Sequence, residues 1–104
     1  FFFVRPGTYD MDALKGKWNT AKSEYFSELS GILTTLENWD AIELESSFKT
    51  LATAKNIKAG ELLFLFRMML VGGKFGPPVF DIATLLGKDE TLGRIQQMQA
   101  LMNS

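Results

Sequence analysis

At 104 residues the chain has the size of one domain, able to bury about two-thirds of the surface its unfolded form exposes. Its 46% hydrophobic share, with nine Phe and two Trp, fills an ordinary core and excludes intrinsic disorder. With no Cys and no His the chain has no thiol nucleophile, disulfide, His general base or Cys/His zinc site, and a net charge of −1 marks no nucleic-acid magnet.

The start Phe1-Phe2-Phe3-Val4, without an initiator Met, reads as a segment of a longer protein. Arg5-Pro6-Gly7 follows too soon for a signal-peptide core. Residues 1–9 fit no helical pattern and are expected to form the tail of a preceding domain or a strap, leaving 10–104 as one domain. Asp10 can cap a long first helix, in which Leu14, Trp18, Ala21, Tyr25, Leu29, Ile32 and Leu36 recur at helical spacing. Lys15, Lys17, Lys22, Glu24 and Glu28 lie off that stripe, on the expected solvated face.

Asn38-Trp39-Asp40 breaks the pattern, and Asp40 with Glu43 has the form of a capping box. The helix it opens carries Leu44, Phe48, Leu51 and Ala52 inward, and Asn56 suits a left-handed stop. A third helix, from Ala59 to Val71, is apolar on nearly every side and is predicted to be central. Its longest apolar run, Leu62 to Val71, is interrupted by Arg67 and reaches only about 15 Å, half a bilayer core, so no membrane partner is expected. Gly72-Gly73 ends it, and Lys74-Phe75-Gly76 connects to Pro77-Pro78, with Pro78 suited to the first position of a fourth helix. Val79, Ile82, Ala83 and Leu86 face inward there, and Gly87 stops it. Asp89 and Glu90 favour the start of a fifth helix with Leu92, Ile95, Met98 and Met102 inside. The expected fold is all-α, a compact five-helix bundle or cage.

Charge is unevenly spread. Glu24, Glu28, Glu37, Asp40, Glu43 and Glu45 give −6 over residues 24–45, whereas Lys49, Lys55, Lys58, Arg67 and Lys74 against Glu61 give +4 over 49–74. Both stretches can be solvated faces; alternatively the second is a local basic surface for phosphates. Arg67 has the apolar neighbours Leu63, Phe64, Leu70 and Val71 on its helical face, where an unpaired guanidinium would be costly. It either pairs structurally with Asp81 or Glu61, snorkels, or is held rigidly for a phosphate or base edge. The stretch from Gly72 to Phe80 is at least a helix–turn–helix connection. It lacks the Gly-Lys-Ser/Thr ending of a Walker loop, and no strand precedes it as a dinucleotide fingerprint requires. A Pro-locked loop at a helix start also offers backbone N–H groups and an apolar rim for unstacked bases.

The ordered run from Leu62 to Gly72 around Arg67, then Gly76-Pro77-Pro78-Val79-Phe80-Asp81-Ile82, Leu85-Leu86-Gly87-Lys88-Asp89-Glu90 and Arg94-Ile95, resembles the C-terminal anticodon-binding domain of bacterial glutamyl-tRNA synthetases. Phe1 to Pro6 with Tyr9-Asp10 is similar to the stretch just before that domain. The resemblance implies a helical cage of the class I synthetase type that grips the anticodon loop of tRNA-Glu beside the parent enzyme's preceding domains. The catalytic domain, with its ATP and Mg, would lie outside this chain; the fragment itself would be non-catalytic and need no cofactor. Neither class I adenylation signature occurs, and with no His the first could not. By the same resemblance Arg67 matches the Arg that approaches the anticodon loop, and Gly76, Pro77 and Val79 match positions lying against anticodon bases. Lys49 falls where some members carry an Arg, and Lys74 adds a cation beside the loop. Two departures stand out: Met69-Leu70-Val71-Gly72 replaces Ala-Leu-Thr-Gly, and Gly76 stands where some relatives have Thr. The implied partner is tRNA rather than DNA, and the location cytoplasmic. The competing reading is a protein-interaction domain that docks a basic partner through its acidic first and second helices.

Overall fold

The structure, a computed structural model, describes residues 11–72 and 77–102, and of residues 11–13 the backbone only. Readings that fall on residues 1–10 or on Gly73, Lys74, Phe75 and Gly76 lie outside the described residues. Among the described residues there are six helices: α1 Met11–Lys17, α2 Thr20–Thr35, α3 Ala41–Ala54, α4 Ala59–Val71, α5 Val79–Leu86 and α6 Lys88–Met102. No strand occurs among the described residues, and no described helix is long and apolar enough to cross a membrane.

The all-α expectation holds, but five helices become six because the expected long first helix breaks at Asn19. Asn19 is extended (φ −152°, ψ 177°), and its side chain accepts from the Lys22 backbone N–H at 2.9 Å. A short amide that can bond its own local backbone favours a cap over a helix interior, and periodicity alone does not register that competition. The break also turns α2 about its axis. Its buried face is Lys22, Tyr25, Phe26, Leu29 and Leu33, so Ala21 and Ile32 are exposed and Lys22, expected in solvent, is inside. Substituting Asn19→Ala should cost about 1 kcal/mol and lower the melting temperature of a domain this size by ~4–8 °C. Thermal unfolding followed by circular dichroism checks this; an unchanged melting point would show that the cap contributes nothing.

The other helices begin and end close to expectation. Asp40 is extended and accepts from the Glu43 N–H at 2.8 Å, and the buried residues of α3 are Leu44, Phe48, Leu51 and Ala52. Asn56, at φ 57°, closes α3 in the left-handed region. Gly72 ends α4 at φ 70°, where a Cβ would be strained, with its N–H bonded to the Met68 carbonyl at 2.9 Å. Pro78 sits one place earlier than expected: it is the N-cap of α5, and its carbonyl accepts from Asp81 and Ile82.

The helix C-termini show how the fold is closed. A helix leaves its last carbonyls without intrahelical donors and presents the negative end of its dipole there. Four of these ends receive side chains from elsewhere in the chain. Lys22 Nζ donates to the Lys17 carbonyl of α1 at 2.6 Å, and Lys88 Nζ donates to Leu36 and Thr34 at the end of α2 at 2.5 and 3.2 Å. Arg94 donates to the Leu70 carbonyl of α4. Trp39 Nε1 and the Thr91 hydroxyl donate to Ala83 of α5 at 2.9 and 3.3 Å.

The core is aromatic at its centre. Phe48 of α3 lies 5.4 Å from Tyr25, 5.3 Å from Phe66 and 5.4 Å from Phe80, centroid to centroid. Tilted and edge-on pairs of this kind add to simple area burial. They link α2, α3, α4 and α5 through one cluster, and the Tyr25 hydroxyl is satisfied by the Phe48 carbonyl at 2.8 Å. Burial raises the Tyr25 pKa far above its ordinary value, so it is a neutral core residue.

Candidate nucleic-acid interface

The outer face of α4 carries Gly60, Leu63, Phe64 and Arg67 at helical spacing, and this face looks onto the start of α5. Together with Pro78, Val79 and Phe80 they line an open groove of about 430 Å³. Phe80 is the anchor: its ring packs on Phe48 and Phe66, at 5.4 and 6.2 Å, and so holds the first turn of α5 against the core. Val79, only 6% exposed, is thereby fixed in the groove wall.

Arg67 is half-buried, and its Nη1 donates to the Pro77 carbonyl at 2.8 Å. The structural ion pairs considered for it do not form among the described residues. Glu61 instead meets Lys22 at 3.2 Å, and Asp81 is exposed. A guanidinium has five N–H donors in a planar fork, so the bond to Pro77 orients the group without exhausting it. The charge sits on a partly apolar surface, where an arriving phosphate or base edge would meet an already oriented donor.

The structure brings Arg67, Pro77 and Val79 together. Gly76 and Lys74 lie outside the described residues. Lys49 does not line the groove: it is exposed on α3, and its ammonium pairs with Glu45 one turn away at 2.7 Å. The division into acidic and basic stretches also changes in three dimensions. Lys55 of the basic stretch pairs with Glu28 of the acidic one at 2.5 Å, and that hydrogen bond raises the Lys55 pKa. Helices α2 and α3 pack side by side, so sequence-separate charges interdigitate and partly cancel.

Three features, two in the groove and one beside it, were not legible as site residues. Phe64 looks like any other apolar position of a central helix. Gly60 sits in the first turn of α4, where a glycine is weakly disfavoured, and that mild anomaly was the available signal. Lys17 comes from α1, yet its Nζ stands 5.9 Å from the Phe64 ring centroid, a cation–π distance. No periodicity within α1 could reveal that approach.

Residues 1–99 match the family model of the anticodon binding domain. The chain belongs to that family. Among curated proteins, glutamate–tRNA ligases of Christiangramia forsetii and Flavobacterium johnsoniae are 35% and 36% identical to it over 97 residues. Each alignment covers 93% of this chain and 19% of the relative, so the chain spans about a fifth of those proteins' length. Among solved structures, a glutamate tRNA ligase from Elizabethkingia meningosepticum, in complex with its amino acid, superposes with a TM-score of 0.84 at 30% identity, over 93% of this chain and 19% of that one. The chain is thus an anticodon-binding domain homologous to the C-terminal region of glutamate–tRNA ligases, which are enzymes, and a fragment relative to them.

Within this anticodon-binding domain the family-like positions divide into two kinds. Lys88 and Arg94, both in the motifs that carried the resemblance, are structural: they close α2 and α4. Arg67, Pro77 and Val79 are gathered at the groove, where a ligand can reach them.

Proposed function

We propose that this domain binds the anticodon loop of tRNA-Glu, with the groove between α4 and α5 as the contact surface and Arg67 as its principal cation. It does so as the C-terminal part of a glutamate–tRNA ligase, in the cytoplasm. The ATP- and Mg-dependent glutamylation belongs to residues outside this chain, and the preceding domains of that ligase are its covalent neighbours. Among the described residues no group of three or more His, Cys, Asp or Glu side chains converges.

The observation that carries the reading is the joining of Arg67 to the Pro77 carbonyl beside Val79, at the rim of an open, largely apolar groove. Splayed loop bases can stack on Phe64, Pro78 and Val79, while the guanidinium meets a phosphate or a base edge. Pro77 supplies close approach, and by the resemblance Gly76 and Lys74 are further proposed contacts; Lys49, tied to Glu45, is a peripheral phosphate contact. Docking of a basic protein through the acidic helices is disfavoured, because Glu28 and Glu45 already hold Lys55 and Lys49.

The test is titration of a labelled RNA hairpin carrying the tRNA-Glu anticodon loop, with single-base changes, at two salt concentrations. Binding should be salt-dependent, with log–log slope about −0.7 per phosphate neutralised, and weaker for altered anticodons. Equal affinity for an unrelated hairpin would defeat the anticodon assignment.

A further inference from the structure

The groove does not end at Arg67. One and two helical turns earlier on α4 lie Phe64, half-buried, and Gly60, exposed, and both line the same groove. A Cβ built on Gly60 would meet nothing within 4 Å, so no neighbouring side chain or backbone requires glycine there. A helical glycine is less favourable than Ala by roughly 0.5–1 kcal/mol. Its presence on an open surface continuous with the groove leaves room for something to come close to the α4 backbone.

The far edge of this surface is cationic. Lys17 is exposed, and its ammonium stands 5.9 Å from the Phe64 ring centroid. Glu61, the residue after Gly60, meets Lys22 at 3.2 Å. The hydrogen bond from Lys22 holds the Glu61 pKa below its ordinary value, and the charges of Lys22, Lys17 and Lys58 act in the same direction. Lys22 is buried and bonded to both Glu61 and the Lys17 carbonyl, so it is already committed. Among the described residues, Lys17 and the exposed Lys58 then leave an excess of positive charge, with Glu61 paired to Lys22. An ammonium beside an aromatic ring, on a helix face that also carries a glycine and an oriented Arg, suits an anionic chain with unstacked rings.

We infer that the RNA backbone leaves the Arg67 contact along the Gly60–Phe64 face of α4, and that Lys17 of α1 holds one of its phosphates there. The inference rests on the RNA-binding reading and adds a residue and a strand path to it. Phe64 offers its ring to the base or ribose of that nucleotide, and Gly60 gives the strand clearance. A phosphate contact carries no base information, so the contribution of Lys17 is the same for every loop sequence.

The 104-residue chain is titrated with the tRNA-Glu anticodon hairpin and its single-base variants across a salt series, comparing the parent with Lys17→Gln, Gly60→Ala, Arg67→Ala and, as a control on the same helix, Lys15→Gln. For Lys17→Gln we expect about five-fold weaker binding at 0.1 M salt, a log–log salt slope shallower by about 0.7, and the same loss for each base variant. Its melting temperature should fall by no more than about 4–8 °C, because the hydrogen bond at residue 17 is made by its backbone carbonyl and only the exposed approach to Phe64 is lost. Gly60→Ala should weaken binding without lowering the melting temperature. If Lys17→Gln binds like the parent while Arg67→Ala is weakened, the path to Lys17 is wrong and the RNA-binding reading stands. A loss at Lys17 that varies with the base, or is matched at Lys15, overturns the phosphate assignment. Full affinity in Gly60→Ala overturns the path across α4. A parent that ignores every hairpin removes the function itself.

Discussion

Arg67→Ala should weaken binding of the anticodon hairpin by about ten- to a hundredfold. A hydrogen bond to a charged partner contributes ~1.5–3 kcal/mol, and each 1.4 kcal/mol is a tenfold change in affinity. The loss has two parts. The guanidinium is the direct contact, and it also ties the Pro77 carbonyl, at 2.8 Å, to α4. Removing it frees the residue that leads into Pro78 and Val79, so the groove wall loses preorganisation along with its charge. The fold should lose far less, about 1 kcal/mol for one partly buried hydrogen bond. Arg67→Lys separates the parts: it restores charge, but one ammonium cannot reproduce the planar fork that serves Pro77 and a ligand together, so recovery should be partial. Fluorescence anisotropy with the labelled hairpin, paired with a thermal melt, measures both. Parent-like affinity in Arg67→Ala would remove Arg67 from the site.

Arg94→Met has the opposite profile, a large loss of stability. Arg94 is 1% exposed, donates to the Leu70 carbonyl and lies 3.6 Å from Glu90 one turn back on α6. Met roughly preserves its length but offers no donor, so the Leu70 carbonyl at the end of α4 would be buried without that partner. An orphaned buried carbonyl costs ~1–3 kcal/mol, and loss of a cation at a helix C-terminus adds up to ~2 more. A total near 3 kcal/mol should lower the melting temperature by ~10–20 °C. Because Arg94 holds the segment immediately before Gly72, RNA affinity should fall as well, but in step with stability. Arg94→Lys should recover part of both. Urea unfolding is the measurement, and a midpoint equal to that of the parent would show that the buried contact is energetically idle.

These two arginines define how much could be read in advance. Arg67 stood out because it interrupts an apolar run, and a charge in such a run demands an explanation. Arg94 lies off the Leu92, Ile95, Met98 and Met102 stripe and entered the reading only within the Arg94-Ile95 motif, yet it is the more deeply buried of the two. Lys22 misled in the same way: its position off the apolar stripe predicted solvent, and the break at Asn19 turned it inward to serve α1 and Glu61. Lys49 was drawn to the site by the resemblance, in which some members carry an Arg there, but Glu45 sits one turn away and holds it.

By itself the sequence determined the family and, apart from the break at Asn19, the local structure. Helix period, the Asp40 cap, the Asn56, Gly72 and Gly87 stops, and the ordered motifs around Arg67 depend on neighbours within a few residues, which a linear reading contains. Only the tertiary structure decided the employment of the charges. The chain has eleven Lys and Arg, and in sequence they differ little. Folding assigns Lys22, Lys88 and Arg94 to helix ends, pairs Lys49 and Lys55 with carboxylates, and sets Arg67 on the groove and Lys17 beside the ring of Phe64. The reason is physical. A helix end or a carboxylate attracts a cation only over a few ångströms, and which cation comes that close is a property of how the helices pack.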